Sequence, residues 1–413
     1  MGVMGIRTTI TNERGVALPM ALITLVLLTT LMLAFAVLSQ TEPVIAANQL
    51  RVSQARSLAE GGFELAVWAL SNSLDPKGLS SPLPATMPTT FDGTTFTFLG
   101  GTGGFTVGVV NDPGGDANVR QVTSVGWTPT NSGTDTRTKG VRKIQASVVV
   151  IPNLALSAPC ALCVKGELSV GGNSTINGNN TDASCGGNTR FGTYTSGATT
   201  TGGSAAVSGG AGGVAQNQGD APFNGFTYSN ADLNALKALA RKNGTYFGPG
   251  FSGATDTNGK AVTGTWSGSL SFNSSNPVAN GVVFIDTSDG NNVNPTGSDL
   301  STLASVDIHG NPFVAGDFQG VLVVNGSLSI SGNMAINGLV YAVNDFTYNG
   351  TGTGGINGLA ISQNIRDTSV TSIDTSTSGN SRITFNCQYA TAPLLIPPGF
   401  NIVPGSYREI AGQ

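Results

Sequence analysis

Residues 16–38 read VALPMALITLVLLTTLMLAFAVL, an apolar run without a charge, directly preceded by Glu13-Arg14-Gly15. At a helical rise of about 1.5 Å per residue this run spans roughly 30 Å or more, the hydrocarbon thickness of a bilayer. A secretory signal has a shorter apolar core followed by a small-residue cleavage site. Here the run passes into a second helical pattern, and only Ala46-Ala47-Asn48 offers a weak site of that kind. The remainder of the chain therefore reads as cargo on a membrane anchor.

Working outward, Pro43 is expected to kink or briefly break the helix, because it removes a donor and crowds the preceding turn. Helical periodicity then resumes, with Ala55, Ala59, Phe63, Val67 and Leu70 on one side and Arg56, Glu60 and Glu64 on the other. Gly61-Gly62 lies inside this pattern and reads as a bend, a close approach or a helix boundary. A loop rich in Pro, Ser and Leu follows over 75–88. Strand-like runs come next at 95–99, 105–110, 119–126 and 141–151, separated by glycine-rich turns. These predict an antiparallel sheet packed on the helix, closing a small α+β unit near Ile151.

Beyond Pro152 an internal repeat appears. CVKGELSVGGNSTING (163–178) aligns without gaps onto VVNGSLSISGNMAING (323–338). Within the later block Gly320, Gly338 and Gly358 each open an apolar triplet, VLV, LVY and LAI. Such spacing suits coils of a β-solenoid, each turn contributing short strands to a continuous inner column, and is too long for two-residue hairpins. Asn337-Gly338 and Asn357-Gly358 would then be stacked corners. Between the copies, about 179–305 reads as a Gly/Ser/Thr-rich insertion, in which 186–220, with few large apolar residues, is expected to form surface loops. Inside it, Ser229-Asn230-Ala231-Asp232 predicts a capped helix carrying Leu233, Leu236 and Leu239 on one face and stopped by Gly244. The proline-rich tail reads as an extended segment closing over the last coil.

The fold class expected is α+β: a long N-terminal helix with a small antiparallel sheet, then an all-β, solenoid-like domain. In residues this gives a leader over 1–15, a helix over 16–71, a sheet head over 72–152 and the solenoid-like domain over 153–413. Charged residues make up 10% of the chain, the net charge is −4, and there are 58 glycines. Scattered bases of this kind give no nucleic-acid footprint. Cys160, Cys163, Cys185 and Cys387 all follow the anchor, and Arg7 and Arg14 before it point to a cytoplasmic leader. Two disulfides in an oxidising compartment are the expectation, with the three possible pairings left open.

Chemistry is sparse. Glu167 is the lone glutamate between Glu64 and Glu409, and His309, beside Asp307, is the single histidine. Neither supplies the paired carboxylates that polysaccharide cleavage requires, so no catalytic residue and no cofactor is expected. Cys160-Ala161-Leu162-Cys163 has redox spacing without the strand-to-helix context of redox motifs, and reads as structural. Asp286 and Asp289 flank a glycine turn in DTSDGN, a weak calcium candidate without the closing glutamate, and no metal is predicted.

The segment RGVALPMALITLVLLTTLMLAF followed by NQLRVSQARSLAEGGFELAVWAL resembles PilX-type minor pilins of type IV pilus systems, over about the first seventy residues and with echoes in the C-terminal FNCQYATAPLLIPPGFNIVPGSYREI. The resemblance implies a class III prepilin signal, cut between Gly15 and Val16 by a prepilin peptidase that methylates the new terminus. It implies storage in the bacterial inner membrane, then an extracellular filament position among other pilins. Major pilins carry a glutamate five residues after the cut, where this chain has Met20. That departure leans toward a position at or near a filament tip, assisting assembly or displaying an adhesive head to a surface or carbohydrate. The alternatives are a minor pseudopilin of a type II secretion system and a membrane-anchored solenoid that binds or cleaves polysaccharide.

Overall fold

The computed structural model describes residues 17–411 apart from 136, 138, 155, 181, 183–188, 248–270, 273–279, 288–304, 310–316, 353, 367–372 and 392–397. Helix α1 (Ala17–Ser71) runs for 55 residues and passes through Pro43 without a break. The expected brief break at Pro43 is therefore corrected. One proline withdraws a single N–H from a ladder that Leu- and Ala-rich turns sustain on both sides.

The second half of α1 lies on an antiparallel sheet of β1 (Thr97–Leu99), β2 (Gly103–Asn111), β3 (Val119–Thr128) and β4 (Gly140–Ile151), in that order. All four match predicted runs. Ala59, Phe63, Ala66, Ala69 and Leu70 are buried against Phe105, Val107, Val109, Val122, Ile144 and Val148, Ala55 is buried one turn earlier, and Val67 is only partly covered. Small residues let the helix sit close to the sheet. At Gly126 on β3 a Cβ would overlap the carbonyl oxygen of Ala55, and at Gly62 it would press on Ser124, Val107 and Phe105. Gly62 is thus a close-packing glycine, whereas Gly61 faces open space.

The following strands are β5 (Cys160–Val164), β6 (Leu168–Val170), β7 (Thr175–Asn177), β8 (Phe191–Thr195), β9 (Thr199–Thr201), β10 (Ala206–Ser208) and β11 (Val214–Ala215). After α2 (Asn230–Asn243) come β12 (Tyr246–Phe247), β13 (Ser271–Phe272), β14 (Gly281–Asp286), β15 (Ser305–His309), β16 (Asp317–Asn325) and β17 (Ser327–Gly332). Next are β18 (Ala335–Ala342), β19 (Phe346–Gly350), β20 (Gly355–Ser362), β21 (Thr375–Gly379) and β22 (Arg382–Phe385). Every pairing among them is parallel, and from β12 to β22 the chain alternates between two sheets. One sheet runs β12-β14-β16-β18-β20-β22-β7-β10, with β5, β8 and β11 continuing from β20; the other runs β13-β15-β17-β19-β21-β6-β9.

The glycines that mark the sequence repeat stand in register: Gly281, Gly320, Gly338 and Gly358 pair in turn. Their φ values lie between 118° and 154°, a conformation that favours glycine. Beside them Asn357 donates its Nδ2 to Asn337 Oδ1 at 3.2 Å. The repeat copies also fall on shared columns: Leu168, Thr375, Phe346 and Leu328 in one sheet, and Ile176, Ile383, Ile356 and Ile336 in the other.

Spatial order departs from chain order. Strands β5, β6 and β7, early in the sequence, dock beside β20, β21 and β22 at its late end. The stretch expected as surface loops supplies β8 to β11 on the outer side of that joint, which corrects the loop reading of 186–220. Its strands are short and rich in Thr, Gly and Ala, so backbone ladders do much of the joining. Phe191, Tyr194, Phe223 and Phe226 add an aromatic cluster with centroids 4.9–6.2 Å apart.

The tail is also corrected. After α3 (Cys387–Thr391), β23 (Gly399–Ile402) and β24 (Arg408–Ala411) pair antiparallel with β4 of the small sheet, instead of closing over the last coil. The 72–152 head is thus completed from the C-terminus. Pro404-Gly405 falls between the two strands, where no ladder donor is needed, and the tail covers the otherwise open edge of β4.

Candidate assembly interface

The two halves of α1 have opposite surroundings. Every described side chain from Ala17 to Ala46 is exposed, including Leu25, Leu28, Leu31, Phe35 and Leu38 at 54–63%. By length and composition this helix is able to cross a membrane. Its hydroxyls are satisfied locally: Thr24, Thr29 and Thr30 donate to the carbonyls of Met20, Leu25 and Val26 at 2.9 Å. Hydroxyls bonded to their own helix enter an apolar environment at low cost. Met20 stands exposed on the same segment; Gly15 and Val16 lie outside the described residues.

At the base of the projection the tail clasps the helix. Glu409 on β24 faces Arg56 at 3.6 Å and Arg142 at 3.4 Å, and Arg56 also pairs with Glu60 at 2.9 Å. Hydrogen bonding to Glu60 and the nearby Glu409 charge raise the Arg56 pKa, so it stays cationic. The Phe400 N–H donates to Ser71 Oγ at 2.9 Å, and Phe63 meets Tyr407 edge-on. Between helix and tail lies an apolar groove of ≈ 600 Å³ lined by Phe63, Val67, Trp68, Ile144, Phe400 and Ile402.

The remaining candidates separate. Cys160 and Cys163 are bonded to each other and fully buried in β5, out of reach of an attacking thiolate. Cys387 is disulfide-bonded as well, and Cys185 lies outside the described residues. His309 Nδ1 stands 3.4 Å from Asp307 Oδ2, both half-exposed on β15.

Asp286 is turned inward and fully buried. Its Oδ2 meets Lys237 Nζ at 2.7 Å and accepts the Tyr246 hydroxyl at 3.0 Å; its Oδ1 accepts Asn325 Nδ2 at 2.9 Å. Burial and the Asp286 charge push the Tyr246 pKa well up, keeping that hydroxyl a donor. Asp289 lies outside the described residues, and among the described residues no cluster of His, Cys, Asp and Glu is suited to a metal. Sequence reasoning missed this centre because Lys237, a single charge within Ala235-Leu236-Lys237-Ala238-Leu239-Ala240, reads by itself as a solvated side chain. Its i,i+4 relation to the apolar Leu233 was the signal available.

No protein-family model and no curated protein matches the chain. Among solved structures, the competence-associated pilin ComZ from Thermus thermophilus is similar at 14% identity over 88% of this chain and 98% of that chain, with a TM-score of 0.22. A score that low carries no structural argument.

Proposed function

We propose that this chain is a minor-pilin-type structural subunit, held in the bacterial inner membrane by the first half of α1 and then packed by it among the helices of other pilins. The observation that supports this reading is the division of α1: one half buried on its own sheet, the other apolar, without a charge from Ala17 to Leu38, and exposed among the described residues. Exchange of lipid for neighbouring helices keeps that surface out of water throughout. Cleavage between Gly15 and Val16 by a prepilin peptidase belongs to the same reading.

The alternation of strands between two parallel sheets is read as a β-solenoid head. Asp307, Ser329, Thr347, Ser376, Ser169 and Thr200 share one column along it, a polar, hydroxyl-rich face suited to display toward a surface or carbohydrate. A head this large is hard to repeat at every position of a close-packed filament, which favours the tip or sparse incorporation. Its role is assembly or adhesion, without catalysis or cofactor. The apolar half-helix serves a type II secretion pseudopilus equally well, so the test must separate the two.

Filaments sheared from cells and probed for this chain provide that test. The expected result is recovery in a pilus fraction at low stoichiometry, abolished by Leu31→Lys in the projecting half. Recovery only in the membrane fraction of piliated cells would overturn the reading, and dependence on secretion subunits would reassign it to a pseudopilus.

A further inference from the structure

Two reactive side chains from two elements converge on the carboxylate of Asp286 in β14. Lys237 from α2 meets Oδ2 at 2.7 Å, and Asn325 from β16 donates to Oδ1 at 2.9 Å. Asp286 and Asn325 are direct partners in the β14–β16 register, and Thr287 Oγ1 donates to the Asn325 carbonyl at 2.6 Å, fixing that backbone. All three side chains are 5% exposed or less. Tyr246 and Phe284, stacked at 6.1 Å, form an aromatic wall. On that wall Lys237 Nζ lies 5.7 Å from the Tyr246 ring centre and the Arg241 guanidinium 4.6 Å from it.

We propose that Lys237 and Asn325 condense into an intramolecular isopeptide cross-link, with Asp286 as the proton-transfer group. Separate charges are costly in this buried site, so proton transfer from Lys237 to Asp286 yields the neutral amine and acid. The free amine attacks Cγ of Asn325 and forms the new C–N bond. The Asp286 acid protonates the developing oxyanion. As the tetrahedral centre collapses, its C–NH2 bond breaks and nitrogen leaves as ammonium, carrying the protons shed by the lysine and returning Asp286 to carboxylate. No oxidant or co-reactant enters. Holding amine, amide and acid in one site makes the step effectively unimolecular. The product ties α2 covalently to β16 across β14.

The test is mass analysis of reduced, proteolysed, natively folded full-length protein, so that N-terminal processing does not interfere. The expected result is a branched peptide joining Lys237 to Asn325, lighter than its two components' linked sum by about 17 Da, one ammonia. Lys237→Arg keeps the cation and removes the nucleophile, and is expected to fold and to give only linear peptides. Asp286→Asn keeps the shape and is expected to abolish the branch. Linear peptides from folded wild-type protein would overturn the proposal. A branch to Asp286 with a loss of about 18 Da, one water, would also overturn it, by making the carboxylate the acyl partner.

Discussion

Gly126 and Gly61 make opposite demands although both lie in the α1–sheet unit. A methyl at Gly126 has the Ala55 carbonyl in its place, so Gly126→Ala is expected to lose about 2–3 kcal/mol, measured by denaturant unfolding. Gly61 meets nothing within 4 Å on an ordinary helix turn, so Gly61→Ala is expected to gain about 0.5–1 kcal/mol. Equal effects at the two sites would contradict the packing described. Asp92 makes a pH prediction. Its carboxylate accepts the Thr95 hydroxyl at 2.6 Å and the Thr94 and Thr95 amides at 2.7 Å, lowering its pKa from 3.8 to about 2. A depressed pKa means that the turn's stabilisation is complete above 3.8 and is lost as pH falls through about 2. Carboxyl NMR titration should find that midpoint; an ordinary one near 3.8 would contradict it. Among single residues, the sequence pattern revealed what local chemistry dictates. The Ser229–Asp232 capping box forms as the spacing implied, and Gly244 ends the helix at φ 69°. Lys237 was illegible because its burial depends on where α2 lands.

At the scale of elements, the repeat and the tail carry different lessons. A Cβ at Gly338 would strike the Gly320 carbonyl oxygen, and its φ of 154° is strained for any other residue. Gly338→Ala is expected to cost about 3 kcal/mol and to weaken the neighbouring strands with it, read by hydrogen exchange across β16, β18 and β20. Protection unchanged in those strands would show that the glycine column is dispensable. The tail is held by backbone pairing and burial more than by charge. Arg56 and Glu409 remain 53% and 33% exposed, so solvent screens the pair and a double-mutant cycle should find little coupling between them. Removal of 399–413, which uncovers β4 and withdraws buried Val403, should cost more than about 3 kcal/mol. The 18- and 20-residue spacing was legible because a parallel ladder forces like residues into register. The docking of β5–β7 beside β20–β22 was not, since strand adjacency between distant segments leaves no local pattern. The tail's return to β4 was hidden for the same reason, and its prolines suggested a closing loop until the open edge of β4 was known.

The whole molecule is one helix with two environments and a large β-rich region beyond it. Met20, where a filament-packing glutamate is usual in the family resembled, leaves no carboxylate at that position to meet a neighbour's amino terminus, which suits a terminal or sparse place. The head's display role follows only if the helix is used for filament packing. The most direct measurement is intact mass and N-terminal sequencing of the chain expressed with and without a prepilin peptidase. The account predicts a mature protein beginning at a methylated Val16 only when the peptidase is present. A chain left uncut, or cut near Ala47, would contradict it and leave a tethered or secreted β-rich protein in place of a filament subunit.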